Sequence, residues 1–166
     1  MAEDLQFAED DYVVYPTHGV GRVLGVESQD ISGVSLKLVV IHFESERMTL
    51  KVPLNKVSGA GLRKLSSRKL MDEALVTLQG KAKVKRTMWS RRAQEYEAKI
   101  NSGDPVSIAE VVRDLHRNSE QPEQSYSERQ IYQSALNRLT REFAAIEGLE
   151  HVQAEEKLSD VLTKAA

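Results

Sequence analysis

The first third of the chain is written in short apolar runs with a period of two. Tyr12-Val13-Val14-Tyr15 is a β-rich run stopped by Pro16-Thr17-His18-Gly19. Val20 to Glu27 carries Gly21 and Gly25, the pattern of a strongly bent strand. After the punctuation Ile31-Ser32-Gly33, Leu36 to Phe43 is almost continuously apolar and β-branched, as a central strand buried on both faces would be. Arg47 to Val52 alternates: Met48, Leu50 and Val52 face one way, Arg47, Thr49 and Lys51 the other, and Pro53 ends the run. Short strands at this spacing with little helix between them predict a small barrel or sandwich over residues 7–65.

From Ser66 the period becomes helical. Leu70, Ala74, Leu75 and Leu78 form one stripe, with Gly80 as a stop. Thr87 is placed to cap a helix running to Asn101, closed by Gly103. Asp104-Pro105 reads as an N-cap followed by proline in the first turn, ahead of Ile108, Val111, Val112 and Leu115. Residues 118–124 are a polar loop. Ser125 and Glu128 then make a capping box before the stripe Ile131, Tyr132, Ala135, Leu136, Leu139, Phe143 and Ile146, with Gly148 as its stop. Leu149, Val152, Leu158, Val161 and Leu162 form a last amphipathic stretch. The expectation is an α+β chain of two domains, a β module over 1–66 and a compact all-α domain of about five helices over 67–166.

Composition narrows the chemistry. The 166 residues contain no cysteine, which excludes disulfides, thiolate nucleophiles, cysteine-ligated zinc and iron–sulfur clusters. No apolar run approaches the ~20 residues of a membrane span. The acidic start MAEDLQFAEDD lacks the basic and apolar regions of a signal peptide, so the expected address is cytoplasmic. Histidines 18, 42, 116 and 151 are scattered, and none shows the i, i+4 spacing of a helical metal site. Gly19-Val20-Gly21 begins like a dinucleotide fingerprint, but Leu24 stands where its third glycine belongs. Neither a phosphate-binding GxxxxGK[ST] nor a GxSxG elbow occurs. The chain is expected to be no enzyme and to need no cofactor or metal.

Taken whole, the formal net charge of −2 argues against nucleic acid, but it is an uneven sum. Residues 1–66 carry −2, residues 67–120 carry +3 and residues 121–166 carry −3. Between Lys81 and Arg92 stand six basic residues (Lys81, Lys83, Lys85, Arg86, Arg91, Arg92) and no acidic one, with the only tryptophan, Trp89, inside the run. Cations of this kind neutralise phosphates, and a large apolar side chain beside them can stack on a base or wedge between base steps. The same residues admit a plainer reading: at 100° per residue Trp89 aligns with Ala93, Tyr96 and Ile100, so it can equally belong to a core stripe. Spacing leaves both open. Arg47 to Pro53 likewise reads either as an ordinary edge strand blunted by Lys51 and Pro53 or as an edge to which a partner adds a strand.

Taken together, Tyr12-Val-Val-Tyr-Pro-Thr-His-Gly-Val-Gly, Met48-Thr-Leu-Lys-Val-Pro, Trp89-Ser-Arg-Arg, Ser102-Gly-Asp and Glu110-Val-Val-Arg-Asp-Leu resemble the CarD/CdnL family of bacterial transcription regulators. The first motif alone would also fit the polymerase-binding module of transcription-repair coupling factors; the helical half separates the two. The resemblance implies a Tudor-like (SH3-like) β-barrel module that binds the β subunit of RNA polymerase, through the strand matching Met48, Thr49, Leu50, Lys51, Val52 and Pro53. Some relatives carry arginine where this sequence has Lys51; a point-charge contact survives that change and a bidentate fork does not. It also implies a helical domain that contacts promoter DNA at the upstream edge of the transcription bubble and so stabilises the open complex. There Trp89 would enter the minor groove, Arg91 and Arg92 would hold the backbone, and Lys85 and Arg86 would assist. Nothing in the sequence demands a dimer, so the expectation is a monomer that reaches the nucleoid through polymerase, with the oligomeric state left open. The competing expectation is an autonomous, sequence-tolerant DNA-binding repressor, for which no recognition helix is evident. The end Lys164-Ala165-Ala166 resembles tails read by ATP-dependent proteases, although a helix simply running out leaves the same residues.

Overall fold

A computed structural model describes residues 8–83, 87–117 and 124–165. The chain divides into two compact units, residues 1–65 and 66–166, and each is built on its own core.

The first unit is one antiparallel sheet of five strands: β1 (Tyr12–Tyr15), β2 (Gly19–Ile31), β3 (Val34–Phe43), β4 (Met48–Pro53) and β5 (Arg63–Lys64). Their order is β4-β3-β2-β1-β5. The long β2–β3 hairpin turns at Ser32 and Gly33, both at positive φ (53° and 81°), the two-residue turn whose twist suits paired strands. Both strands therefore run further than the apolar pattern marks, since residues 28–35 are mostly polar and exposed and leave no period to read. The register of β2 on β3 shifts between Val23 and Gly25, the bulge that the paired glycines announce. Gly21 has a different reason to be glycine. A Cβ there would lie 2.6 Å from Ile41 Cγ2 and 2.7 Å from Phe43 Cε1, so the strand crosses the core at a distance only a bare backbone allows.

Val13, Val23, Val39, Ile41, Phe43 and Val52 fill that core, closed by Val57 and Leu62 from the short helix α1 (Val57–Ala60) and the turn after it. Leu38 to Ile41 are all buried, so β3 is covered on both faces as its continuous apolar run requires. Arg47, expected to open β4, instead sits in the preceding turn with φ 50°, and the strand begins at Met48.

The second unit packs five helices: α2 (Arg68–Leu78), α3 (Trp89–Asn101), α4 (Pro105–Leu115), α5 (Tyr126–Glu147) and α6 (His151–Ala165). Three caps follow the sequence reading. Asp104 accepts from Val106 N–H at 3.3 Å with Pro105 in the first turn, Ser125 accepts from Glu128 N–H at 3.2 Å, and Gly148 ends α5 in the left-handed conformation. The start of α3 departs from it: the cap position is Met88, not Thr87, and Met88 offers no side-chain acceptor. The core joins Met71, Ala74, Leu78, Tyr96, Ile100 and Ile108 to the inner faces of α4, α5 and α6. Two buried carboxylates serve the connections rather than the helices. Glu142 accepts from Ser66 N–H at 2.8 Å, and Asp114 accepts from Lys83 N–H at 2.9 Å.

Candidate nucleic-acid and polymerase interfaces

In the helical unit the candidate site is the first turn of α3. Trp89 opens the helix half-buried, packed on one side against the core that holds Tyr96 and Ile100. Its indole Nε1–H donates to Ser127 Oγ at 3.1 Å, which joins it to the first turn of α5. The Arg92 guanidinium lies 5.3 Å from the Trp89 ring centre and 5.8 Å from that of Tyr96, and its Nη2 donates to the Tyr96 hydroxyl at 3.3 Å. Cation–π stacking of this kind contributes about 0.5–1 kcal/mol at exposed sites and more where water is excluded. Trp89, Arg92 and Tyr96 thus form a ladder at i, i+3 and i+7 along one helix face.

The core reading of Trp89 describes part of it. One edge belongs to the core stripe, while the side chain stands at the head of a helix among exposed groups. Met88 is 77 % exposed and Tyr126 76 % exposed, large apolar surfaces on either side of the Trp89–Ser127 bond in sequence. Arg91 is exposed, and Lys81 and Lys83 are exposed upstream. Arg92 differs from its neighbour: it is half-buried and stacked, and its Nε is buried without a hydrogen-bond partner. Lys85 and Arg86 lie outside the described residues.

Electrostatically the turn favours an anion. Its first turn carries no acidic residue and its cap no side-chain acceptor, so no local carboxylate offsets the positive end of the helix dipole.

In the β unit the candidate is strand β4. It stands at the end of the strand order, paired only with β3, from Met48 opposite Phe43 to Pro53 opposite Leu38. Among the described residues its outer edge is therefore an unpaired row of backbone groups. Val52 is buried and Met48 and Leu50 half-buried on the core face, whereas Thr49 and Lys51 are exposed on the other. Thr49 Oγ1 is 3.2 Å from His42 Nδ1. Lys51 Nζ is 3.0 Å from Glu27 Oε2, an ion pair that reaches over β3 to β2 with both side chains about half exposed. Pro53 is half-buried and removes one donor from the end of the edge.

Sequence reasoning missed Glu27, Ser127 and Tyr126. The capping box marked the start of α5, but nothing local signalled that this turn meets Trp89. Among the described residues no group of three or more histidine, aspartate or glutamate side chains could hold a metal ion, and no helix is long and apolar enough to cross a membrane. Grooves of about 370 Å³ and 270 Å³ flank α5 and are lined by residues such as Gln130, Ser134 and Asn137; neither includes Trp89 or β4. Of the two alanines of the expected protease signal, Ala165 ends α6 and Ala166 lies outside the described residues.

Comparison with known proteins assigns both halves. Residues 7–66 match the family described as the CarD-like/TRCF RID domain, and residues 73–159 match the family described as the C-terminal domain of CarD. A curated relative, the "Putative transcription factor YdeB" of Bacillus subtilis, is 26 % identical over 147 residues, covering 89 % of this chain and 96 % of the relative. Among solved structures, the 72-residue N-terminal domain of Myxococcus xanthus CarD is 37 % identical, over 36 % of this chain and 79 % of that one, with a TM-score of 0.31. The chain belongs to the CarD/CdnL family of transcription regulators, a family that interacts with RNA polymerase.

Proposed function

We propose that this chain is a non-catalytic regulator that docks on the β subunit of RNA polymerase through its β module, residues 1–66, and stabilises the promoter open complex through its helical domain, residues 67–166. The edge of β4 adds to a strand of the partner, with Lys51 as a charge contact. The head of α3 meets DNA at the upstream edge of the bubble, with Trp89 against the minor groove, Arg91 on phosphate and Arg92 held beside the indole. Lys85 and Arg86 supply further phosphate contacts.

The observation that carries this reading is the head of α3: a half-buried aromatic side chain braced from behind by Ser127 and Arg92, beside the exposed Arg91, with no carboxylate in the helix's first turn. A braced aromatic loses little conformational freedom when it docks. A few phosphate contacts give feeble affinity for free DNA at physiological salt. Delivery by polymerase makes the DNA contact intramolecular and raises its effective concentration, so a small patch suffices. A contact favours the melted state only by as much as it binds that state better, and each ~1.4 kcal/mol of preference is about tenfold in the equilibrium.

Affinity purification of the full chain with RNA polymerase, with and without promoter DNA, tests the reading. The expected result is polymerase capture without DNA, through the β subunit, and no retention of promoter DNA in the absence of polymerase. Capture of promoter DNA alone, with polymerase left behind, would identify an autonomous repressor instead.

A further inference from the structure

A buried carboxylate holds one backbone amide of the basic run, that of Lys83. Asp114, in the last turn of α4, is 3 % exposed. Its Oδ1 accepts from Lys83 N–H at 2.9 Å and from Arg113 Nε–H at 2.8 Å. The Arg113 side chain is itself 10 % exposed, and a Cβ on Gly80 would lie 3.7 Å from its Cδ. Residues 80–83, after α2, are therefore seated on α4 at two places, Gly80 over the Arg113 stem and Lys83 on Asp114. At its far end Trp89 is fixed to α5 through Ser127. Lys81 and Lys83 project as exposed cations from the seated segment.

Burying a charged pair is costly, and an apolar pair of similar volume would hold the end of α4 at least as well. What the carboxylate adds is a strong acceptor for one N–H of a segment with no regular structure of its own. We infer that Asp114 is a positioning residue for nucleic-acid contact: through Lys83 N–H it presents Lys81 and Lys83 to the DNA backbone on the surface headed by Trp89. This rests on the DNA reading proposed above and extends it to two cations and an acid buried beneath them.

The test uses the full chain on a polymerase–promoter complex and reads the salt dependence of complex lifetime, which counts phosphate contacts, together with hydrogen exchange at the Lys83 amide in the free protein. The double variant Arg113→Leu/Asp114→Leu removes the acceptor and fills its volume. Its Lys83 amide should exchange about tenfold faster, the equivalent of one lost hydrogen bond. Its salt slope should fall by about 1–2, the number of phosphates released, to the value of Lys81→Ala/Lys83→Ala. Asp114→Asn, which keeps an oxygen facing Lys83, should restore the parental slope; a role confined to charge balance in the core would not be rescued in this way. A folded double variant with the parental slope overturns the inference. If the double variant fails to fold, Lys81→Ala/Lys83→Ala decides: an unchanged slope overturns the inference, and a slope reduced by about 1–2 supports it. Trp89→Ala separates the two levels. If it shortens the lifetime while the lysine pair changes nothing, the inference fails alone; if neither changes anything, the DNA reading fails with it.

Discussion

The edge of β4 and the head of α3 offer a partner different things. At β4 the offer is backbone: an unpaired row of N–H and C=O groups whose positions are set by pairing with β3 and by the core beneath Met48, Leu50 and Val52. Side chains there tune the interaction and do not create it, and the principal charge, Lys51, is already shared with Glu27. At α3 the offer is side chain: one indole, two arginines in different states and a helix end, with the indole held by Arg92 on its own helix and by Ser127, 38 positions along the chain. Substitutions on the β edge should therefore act through the charge they present, and substitutions at α3 through the bracing they remove.

Three predictions sharpen that contrast. The largest effect is expected from Lys51→Glu, which sets a second carboxylate beside Glu27 and reverses the charge offered to the partner. Like-charge juxtaposition across an interface costs on the order of 1–2 kcal/mol or more. Binding to the isolated polymerase β subunit should weaken about tenfold, while the melting temperature shifts little, because exposed ion pairs contribute ~1 kcal/mol or less. Undiminished capture of the β subunit by Lys51→Glu would mean that the edge contributes backbone alone or is not the docking surface.

A smaller effect is expected from Ser127→Ala. It removes the acceptor of the Trp89 indole, worth about 0.5–1.5 kcal/mol, without touching the apolar core. The Trp89 fluorescence should broaden and become easier to quench, and the open-complex lifetime should fall by roughly half a decade at most. Polymerase binding should be unaltered if docking runs through the β unit, as proposed.

The smallest effect is a pH dependence confined to the helical unit. His116 follows α4 with its Nδ1 3.0 Å from the Tyr132 hydroxyl. Burial, and then the neighbouring Arg117 charge, lower the His116 pKa below 6.5, while burial raises that of Tyr132 to about 12. A histidine whose folded pKa is depressed contributes stability that is fully present above pH 6.5. That contribution declines as pH falls through the lowered value, because the unfolded chain takes up the proton first. Thermal melting from pH 7.5 to 5 should show this slope in the parent, and His116→Gln should flatten it.

Much of this architecture was legible because its causes are local. The caps at Asp104 and Ser125 and the αL stop at Gly148 each need residues within one helical turn, and each stands where the sequence places it. The glycines of β2 announced the bulge, and the β-branched run of Leu36 to Phe43 announced the buried central strand. The limits are equally physical. Thr87 was expected to cap α3, yet Met88 occupies the cap and satisfies nothing with its side chain; cap preference is worth only ~1 kcal/mol and yields to the surrounding packing. The bonds from Trp89 to Ser127 and from Lys83 to Asp114 join residues 38 and 31 positions apart, and no periodicity encodes them. The stack of Arg92 between Trp89 and Tyr96 is different, since spacing of i, i+3 and i+7 was there to be read. Counting Arg92 only among the free cations overlooked it.

The central claim is that Trp89 acts on DNA rather than on the fold. The most direct measurement is the lifetime of the polymerase–promoter open complex with the parental chain and with Trp89→Ala, read beside the melting temperature of each. Because the indole is only half-buried, truncation should cost about 1–2 kcal/mol of stability and leave the helical unit folded. The lifetime should fall by about tenfold, one step of ~1.4 kcal/mol in the melted state's favour. An unchanged lifetime in a folded variant, or a collapse of the melting transition that accounts for the loss by itself, would contradict it.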